Sequence, residues 1–396
     1  MKVLLVLTYY HPHVSGLTIY VKRLAAALAR RGHQVTVLTS RYDAALPAEE
    51  VIDGVRVVRA PVLLRISKGV IMPAFPLIAW KLIREHDVLS VHLPQFEASL
   101  LALLGRLAKR PVILTYHCDL QLPKGWFNRV VDKVVFGSNY LAGHLAEAAV
   151  AYTEDFAQHS HFLSRFLDKV RVIRPPVLMP EPDAEAVETF RAAHDLQDRP
   201  VVGMAARLAT EKGVEVLIQA MPRLLEAFPR LKVLFAGQYE DVMGEEVYYH
   251  RLMPLIQELG PEHWEFLGIL SQEQMPAFYA ACDVLVVPSL NSTESFGLVQ
   301  IEAMLCGTPS IASNLPGVRQ PPLMTGMGAV TPIGDAAELA EAIIGIIRQR
   351  KKYALPRNQI EAMFSLEQTV SGYEKLFRAL LPERAQTETP AEASET

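Results

Sequence analysis

Glu294 and Glu302, with seven residues between them, are the carboxylates whose placement most suggests chemistry in this chain. They lie in Asn291–Ser313, NSTESFGLVQIEAMLCGTPSIAS, just after an apolar strand-like run, Val284–Pro288. Pro288 and Ser289 break that run, and Asn291, Ser292 and Thr293 make a polar turn. The spacing then predicts an amphipathic helix beginning near Phe296 and ending at Cys306 and Gly307, with Gly307 as its C-terminal cap. A helix start leaves N–H groups without partners, a natural seat for phosphate oxygens. Glu294 stands in the turn before the helix. Glu302, about two turns inside it, is near enough to reach a ribose, the device dinucleotide-binding folds use. The plainer alternative makes Asn291 the helix cap, Glu294 part of a capping box and Glu302 a solvated helix residue.

Other residues fit the same anion and sugar chemistry. After an expected strand, Pro200–Ala205, comes Arg207-Leu-Ala-Thr-Glu-Lys212-Gly213. Arg207 and Lys212 can both turn toward a diphosphate, one as a fork and one as a point charge. Local pairing with Glu211 is the competing reading. His117 follows the strand Pro111–Tyr116, where ligand groups gather in open α/β sheets, although a histidine there is often only a satisfied structural residue. Gly16 closes the loop Tyr9–Gly16, where a missing side chain lets a phosphate or sugar approach the backbone.

These residues need elements to hold them. Lys2–Thr8 reads as a near-continuous apolar strand, followed by a helix at Leu17–Arg31 and a strand at Gln34–Thr39, one βαβ unit. Further strands are expected at Val88–His92, Pro111–Tyr116, Ala149–Thr153 and Val170–Ile173, with helices at Glu97–Leu107 and Phe127–Ala148. Arg174-Pro175-Pro176-Val177 is a stiff crossover, and Pro180–Ala186 an acidic linker. The rhythm restarts with strands at Pro200–Ala205, Leu231–Ala236, Trp264–Leu267, Val284–Val287 and Pro309–Ala312. Strands alternating with helices mean doubly wound parallel sheets, so the fold class is α/β. Leu366–Leu380 reads as a last amphipathic helix, and residues 382–396 as a polar, acidic, disordered tail.

Bulk properties narrow the class. A chain of 396 residues, half of them hydrophobic, predicts two domains with their own cores. No apolar run reaches the ~18 residues a membrane span needs. Three separated cysteines fit a reducing, cytoplasmic compartment and no disulfide framework. The N-terminus lacks a small-residue cleavage site and reads as a strand rather than a signal peptide. Residues 1–177 hold 22 Lys+Arg against 13 Asp+Glu, a net +9, leaving −13 for the remainder. A basic first half suggests a different partner from the acidic second. In Val62–Arg84, Leu, Ile, Met, Phe and Trp mix with Arg65, Lys68, Lys81 and Arg84. Such a segment suits peripheral contact with an anionic membrane; a core helix with a basic rim is the alternative.

The run Glu294-Ser-Phe-Gly-Leu, then Ile301-Glu-Ala-Met and Cys306-Gly307-Thr308-Pro309, resembles the donor-binding motif of the retaining nucleotide-sugar glycosyltransferases of family 4. Arg207 with Lys212, Phe235-Ala236-Gly237 and Phe266-Leu267-Gly268-Ile269 match further family positions. The resemblance implies the glycosyltransferase B architecture, two facing Rossmann-like domains with an interdomain cleft. Residues 1–177 would form the acceptor-side domain and 178–365 the nucleotide-sugar domain, with 366–381 crossing back to the first.

It further implies that Glu302 binds the ribose and that the N–H groups of Phe296, Gly297, Leu298 and Val299 meet the diphosphate or sugar. Arg207 and Lys212 would meet phosphate charge, Glu294 the sugar hydroxyls, and Gly237 and Ile269 would line the donor pocket. His117 and Glu294 are the catalytic candidates, Gly16 a donor contact, and Tyr9, Tyr10 and His11 acceptor-side candidates. The expected reaction is metal-independent, retaining hexosyl transfer to a lipid or saccharide acceptor, with no cofactor and no nucleic-acid partner. An epimerase or phosphorylase of the same architecture, or an inactive sugar-nucleotide-binding protein, are the alternatives. Two departures stand out. Ser15-Gly16 replaces a usual glycine pair, and Asn314-Leu315-Pro316-Gly317-Val318-Arg319 lacks an expected acid.

Overall fold

In a computed structural model of the protein, residues 1–66, 69–120 and 126–381 are described. Lys68 and the expected tail 382–396 lie outside these residues. The chain divides into two compact units, one of Met1–Pro176 with the segment from Leu366 onward, the other Val177–Ser365.

Among the described residues the first unit is built on ten strands: β1 Lys2–Val6, β2 Gln34–Arg41, β3 Glu49–Ile52, β4 Val55–Pro61, β5 Leu64–Ile66, β6 Gly69–Ile71, β7 Val88–Leu93, β8 Val112–Tyr116, β9 Ala148–Ala151 and β10 Val170–Val172. Eight form one sheet in the order β10-β9-β8-β7-β1-β2-β4-β3, and β5 pairs only with β6. Every neighbouring pair in the large sheet is parallel except β3 and β4. Helices on both faces explain why β1 is apolar throughout its buried length, from Val3 to Val6. Because β1 lies between β2 and β7, the loops after β1 and β7 flank a topological switch point.

The second unit has six strands: β11 Val201–Ala205, β12 Lys232–Ala236, β13 Trp264–Gly268, β14 Val284–Val287, β15 Ser310–Ser313 and β16 Gly328–Thr331. Their order, β13-β12-β11-β14-β15-β16, is parallel throughout and reverses direction between β11 and β14. The loops leaving those two central strands therefore stand side by side at the carboxyl edge. They carry Arg207–Gly213 and Asn291–Gly297.

Several elements differ from the sequence expectation. The expected linker Pro180–Ala186 runs into a helix, Ala184–Ala193, because Asp183 accepts a hydrogen bond from the Ala186 N–H and caps it. The β3–β4 hairpin turns at Asp53-Gly54, both with positive φ (52° and 77°), the geometry that turn type requires. Val62–Arg84 is a short hairpin, β5–β6, and then a helix, Phe75–Glu85, with Pro76 in its first turn.

The last helix, Leu366–Leu380, packs on the first unit. Tyr373 is fully buried, its hydroxyl 2.8 Å from both the Tyr20 hydroxyl and Thr115 Oγ1. The next residue, Glu374, accepts from Arg31 (2.6 Å) and pairs with His33 (2.7 Å). Burial pushes the Glu374 carboxyl upward, but the His33 and Arg31 hydrogen bonds outweigh it and hold the group below the usual carboxylate range. A depressed carboxylate contributes stability above its unfolded-state pKa and loses it as pH falls through the lower folded value. Glu374→Gln should therefore lower Tm at pH 7 by about 2–4 °C. Thermal scans over pH should show the gap between variant and wild type closing below about pH 4; a gap that does not change with pH would remove Glu374 as an ionised clamp.

Candidate functional site

The carboxyl edge of β11 and β14 is assembled by backbone contact. Gly213 ends the loop after β11 with φ 66°, and a methyl group there would overlap the Pro288 carbonyl oxygen. The two loops can approach this closely only because position 213 has no side chain. The Leu290 N–H donates to the Glu211 carbonyl oxygen (2.9 Å) and closes the junction. Thr210 is tethered from a third loop, its N–H and hydroxyl donating to Glu245 at 3.0 and 2.7 Å. The Val214 N–H, at the start of the next helix, donates to the Tyr248 hydroxyl at 3.1 Å.

This junction delivers Lys212 to Glu294. The ammonium lies 2.5 Å from Glu294 Oε2, with the two side chains 21% and 19% exposed. The other oxygen, Oε1, accepts the Gly297 N–H at 3.1 Å. Gly297 is left-handed (φ 73°), so the helix starts at Leu298 and spans Leu298–Leu305, two residues later than the sequence pattern suggested. Asn291 does not cap it. Its Oδ1 instead accepts the Thr293 N–H and hydroxyl in the preceding turn.

Glu302 is no solvated helix residue. It is 8% exposed, and Tyr279 donates its hydroxyl to Oε2 at 3.0 Å. Arg207 is half exposed and 3.4 Å from Glu211, the local pairing weighed above. Phe296 is buried against Phe364. Leu298 and Val299 open the helix. The Gly237 N–H donates to the Gly268 carbonyl (2.7 Å), and Ile269 beside it is exposed. Tyr239 stacks on Phe266 at the same edge, 4.2 Å between centroids.

In the first unit, Gly16 opens the helix Gly16–Arg30, and a methyl group there would meet nothing within 4 Å. Ser15, at the place of the first family glycine, caps that helix by accepting the Thr18 N–H at 3.2 Å. Tyr10 is buried, while Tyr9 is half-buried and packs edge-on against Tyr42. Arg59, itself buried, donates to the His11 carbonyl oxygen at 3.0 Å and so holds this loop.

His117 stands beyond β8 but is 6% exposed. Its Nδ1 is hydrogen-bonded to the Tyr152 hydroxyl and its Nε2 lies 2.9 Å from His92 Nδ1. Burial, and then the neighbouring His92 ring, push His117 well below the ordinary histidine range; burial takes His92 to about 3. Both rings are neutral at physiological pH. Tyr20 packs edge-on against His117 and stacks on Tyr152. His92, Tyr152 and Tyr20 escaped the sequence reading, although His92 lies in β7, the strand beside β8, and pairs in register with Thr115.

A family model described as glycosyl transferases group 1 matches residues 186–363, and a glycosyl transferase 4-like domain matches 15–176. The chain belongs to the group 1 glycosyltransferases. An uncharacterized glycosyltransferase of Methanocaldococcus jannaschii is 28% identical over 345 residues, 81% of this chain and 82% of that protein. The GDP-mannose-dependent α-(1-6)-phosphatidylinositol monomannoside mannosyltransferase of Mycolicibacterium smegmatis is 28% identical over 372 residues, 89% and 90% of the two chains. Among solved structures, sucrose-phosphate synthase from Thermosynechococcus elongatus superposes with TM-score 0.77 at 24% identity, over 96% of this chain and 98% of that one. That last likeness speaks for the glycosyltransferase B fold alone.

Within this glycosyltransferase, the segment lacking the expected acid is structurally committed. Val318 offers its carbonyl to the buried Gln300 side chain (2.9 Å), and Arg319 donates to Asn314 Oδ1 (2.9 Å). Gly213→Ala should destabilise the protein by more than about 2 kcal/mol, since it combines a left-handed backbone with a clash against main chain. Denaturant unfolding checks this; a loss below about 0.5 kcal/mol would show that the two loops are not locked together at Gly213.

Proposed function

We propose that this glycosyltransferase moves a hexosyl group from a nucleoside diphospho-sugar to an acceptor hydroxyl, retaining anomeric configuration and using no metal. The observation that carries the reading is the meeting of Lys212, Glu294 and the Gly297 amide at the switch point of a wholly parallel sheet. In this reading Lys212, Arg207 and the amides at the start of the Leu298–Leu305 helix face the diphosphate. Glu302 faces the ribose and Glu294 the hexose hydroxyls. Departure of the leaving group breaks the bond between anomeric carbon and phosphate oxygen and deposits charge on the diphosphate. Fixed cations and amides stabilise that charge without reorganising. The acceptor oxygen bonds to the anomeric carbon from the same face, and its proton passes to the departing phosphate oxygen.

The first unit supplies the acceptor side, with Gly16 as a donor contact and Tyr9, Tyr10 and His11 in the acceptor loop. A neutral His117 orients ligand rather than acting as a strong base, and reaches it by exchanging a ring hydrogen bond. A lipid or saccharide acceptor is supported by the mannosyltransferase relative, whose name specifies a phosphatidylinositol mannoside. No helix among the described residues is long and apolar enough to cross a membrane. The enzyme is proposed to be cytoplasmic and to touch an anionic membrane peripherally. Exposed Leu63, Leu64, Ile71 and Leu77 beside Arg65, Lys81 and Arg84 support this, whereas Phe75, Ala79, Leu82 and Ile83 are core.

Glu294→Ala should reduce transfer by about a hundredfold or more while the protein still folds cooperatively. Turnover at the wild-type rate would refute the assigned role. Exhaustive treatment with EDTA should leave the transfer rate unchanged within about twofold. Loss of activity restored by a divalent cation would overturn the metal-free mechanism.

A further inference from the structure

Glu294 occupies the position that the proposed function gives to a phosphate. Its two oxygens are taken up by two groups suited to an anion, the Lys212 ammonium at 2.5 Å and the Gly297 amide at 3.1 Å. Neither side chain is mobile surface, since each is about four-fifths buried. Lys212 adjoins the locked Gly213, and Glu294 is tied back through its own N–H to the Asn291 carbonyl at 3.3 Å. The carboxylate is therefore an internal anion already seated on the cationic group. A diphosphate brought to Lys212 lies against this carboxylate, and repulsion between the two adjacent anions favours displacement of the carboxylate from the ammonium.

We propose that the Lys212–Glu294 pair is an exchange latch, an inference that rests on the donor-site reading above. The diphosphate of the donor displaces Glu294 from Lys212 and releases the carboxylate to accept hydrogen bonds from the hexose. The nucleoside diphosphate product also breaks the pair, but it brings no hexose to satisfy the freed carboxylate. Glu294 thus weakens product binding relative to donor binding, and the ion pair re-forms as the product leaves. The device gives the site a preference for the sugar-bearing nucleotide without any additional contact to the nucleotide itself.

Removing the negative charge separates this latch from a simple sugar contact. Dissociation constants for UDP, GDP and ADP, and for inorganic pyrophosphate, are measured by calorimetry on the wild type, Glu294→Gln, Lys212→Ala and the double variant. Glu294→Gln, which keeps the side-chain shape, should bind the preferred nucleoside diphosphate about five- to twentyfold more tightly. Lys212→Ala should bind it at least tenfold more weakly, and adding Glu294→Gln to that background should change affinity less than twofold. Unchanged or weaker nucleotide binding by Glu294→Gln, with Lys212→Ala impaired, sinks the latch and leaves the donor site standing. Wild-type protein that binds none of the four probes, or Lys212→Ala that binds as well as wild type, sinks both.

Discussion

The second unit depends on one close approach of backbone to backbone. Parallel strands β11 and β14 lie side by side, so the loops that follow them must leave in opposite directions and yet remain in contact at their roots. The absence of a side chain at Gly213 permits that contact, and Leu290 and Glu211 hydrogen-bond across it. The positions of Lys212 and Glu294 follow, 82 residues apart in the chain and 2.5 Å apart in space. A cation and an anion brought together in a partly shielded edge interact more strongly than the same pair on open surface. The arrangement is thus both a structural bond and a charged site whose partners can be exchanged.

The first unit solves a different problem. Around His117 its polar interior is neutral rather than ionic: Tyr152, His117 and His92 form one hydrogen-bonded chain, and Tyr20, Tyr373 and Thr115 a second beside it. Burial disfavours the charged imidazole, so each histidine keeps its partners as a neutral ring with a single N–H. Tyr373 comes from the end of the chain, which makes the last helix part of this interior rather than an appendage. Arg31, His33 and Glu374 add an ionic clasp at the same helix.

Much of this architecture was legible in the amino-acid order. Apolar runs separated by amphipathic segments reveal parallel strands and crossover helices, because both faces of such a sheet must be covered. The turn, helix and cap signals from Asn291 to Gly307 are local and legible in residue types and spacing, while the family was suggested by the resemblance of Glu294–Pro309 to a known donor-binding motif. The Asp53-Gly54 turn was equally local and was passed over; that dipeptide is a direct hairpin signal. The helix from Ala184 was likewise announced by Asp183, but the prolines before it drew the reading toward a linker.

What the chain order could not determine was which partner each polar group would choose. Arg207 and Lys212 both read as phosphate ligands with local pairing to Glu211 as the alternative, yet one lies beside Glu211 on a half-exposed surface and the other reaches Glu294 across a loop junction. His117 looked like an open group beyond a strand, whereas the folded unit buries it between Tyr152 and His92. Glu302 read as a ribose ligand or, in the plainer alternative, a solvated helix residue, and neither reading foresaw the Tyr279 hydroxyl packed against it. Periodicity and capping act over a few residues and are written in the sequence. Hydrogen-bond partnership, burial and the resulting charge state arise where distant segments meet, and only the tertiary structure brings those segments together.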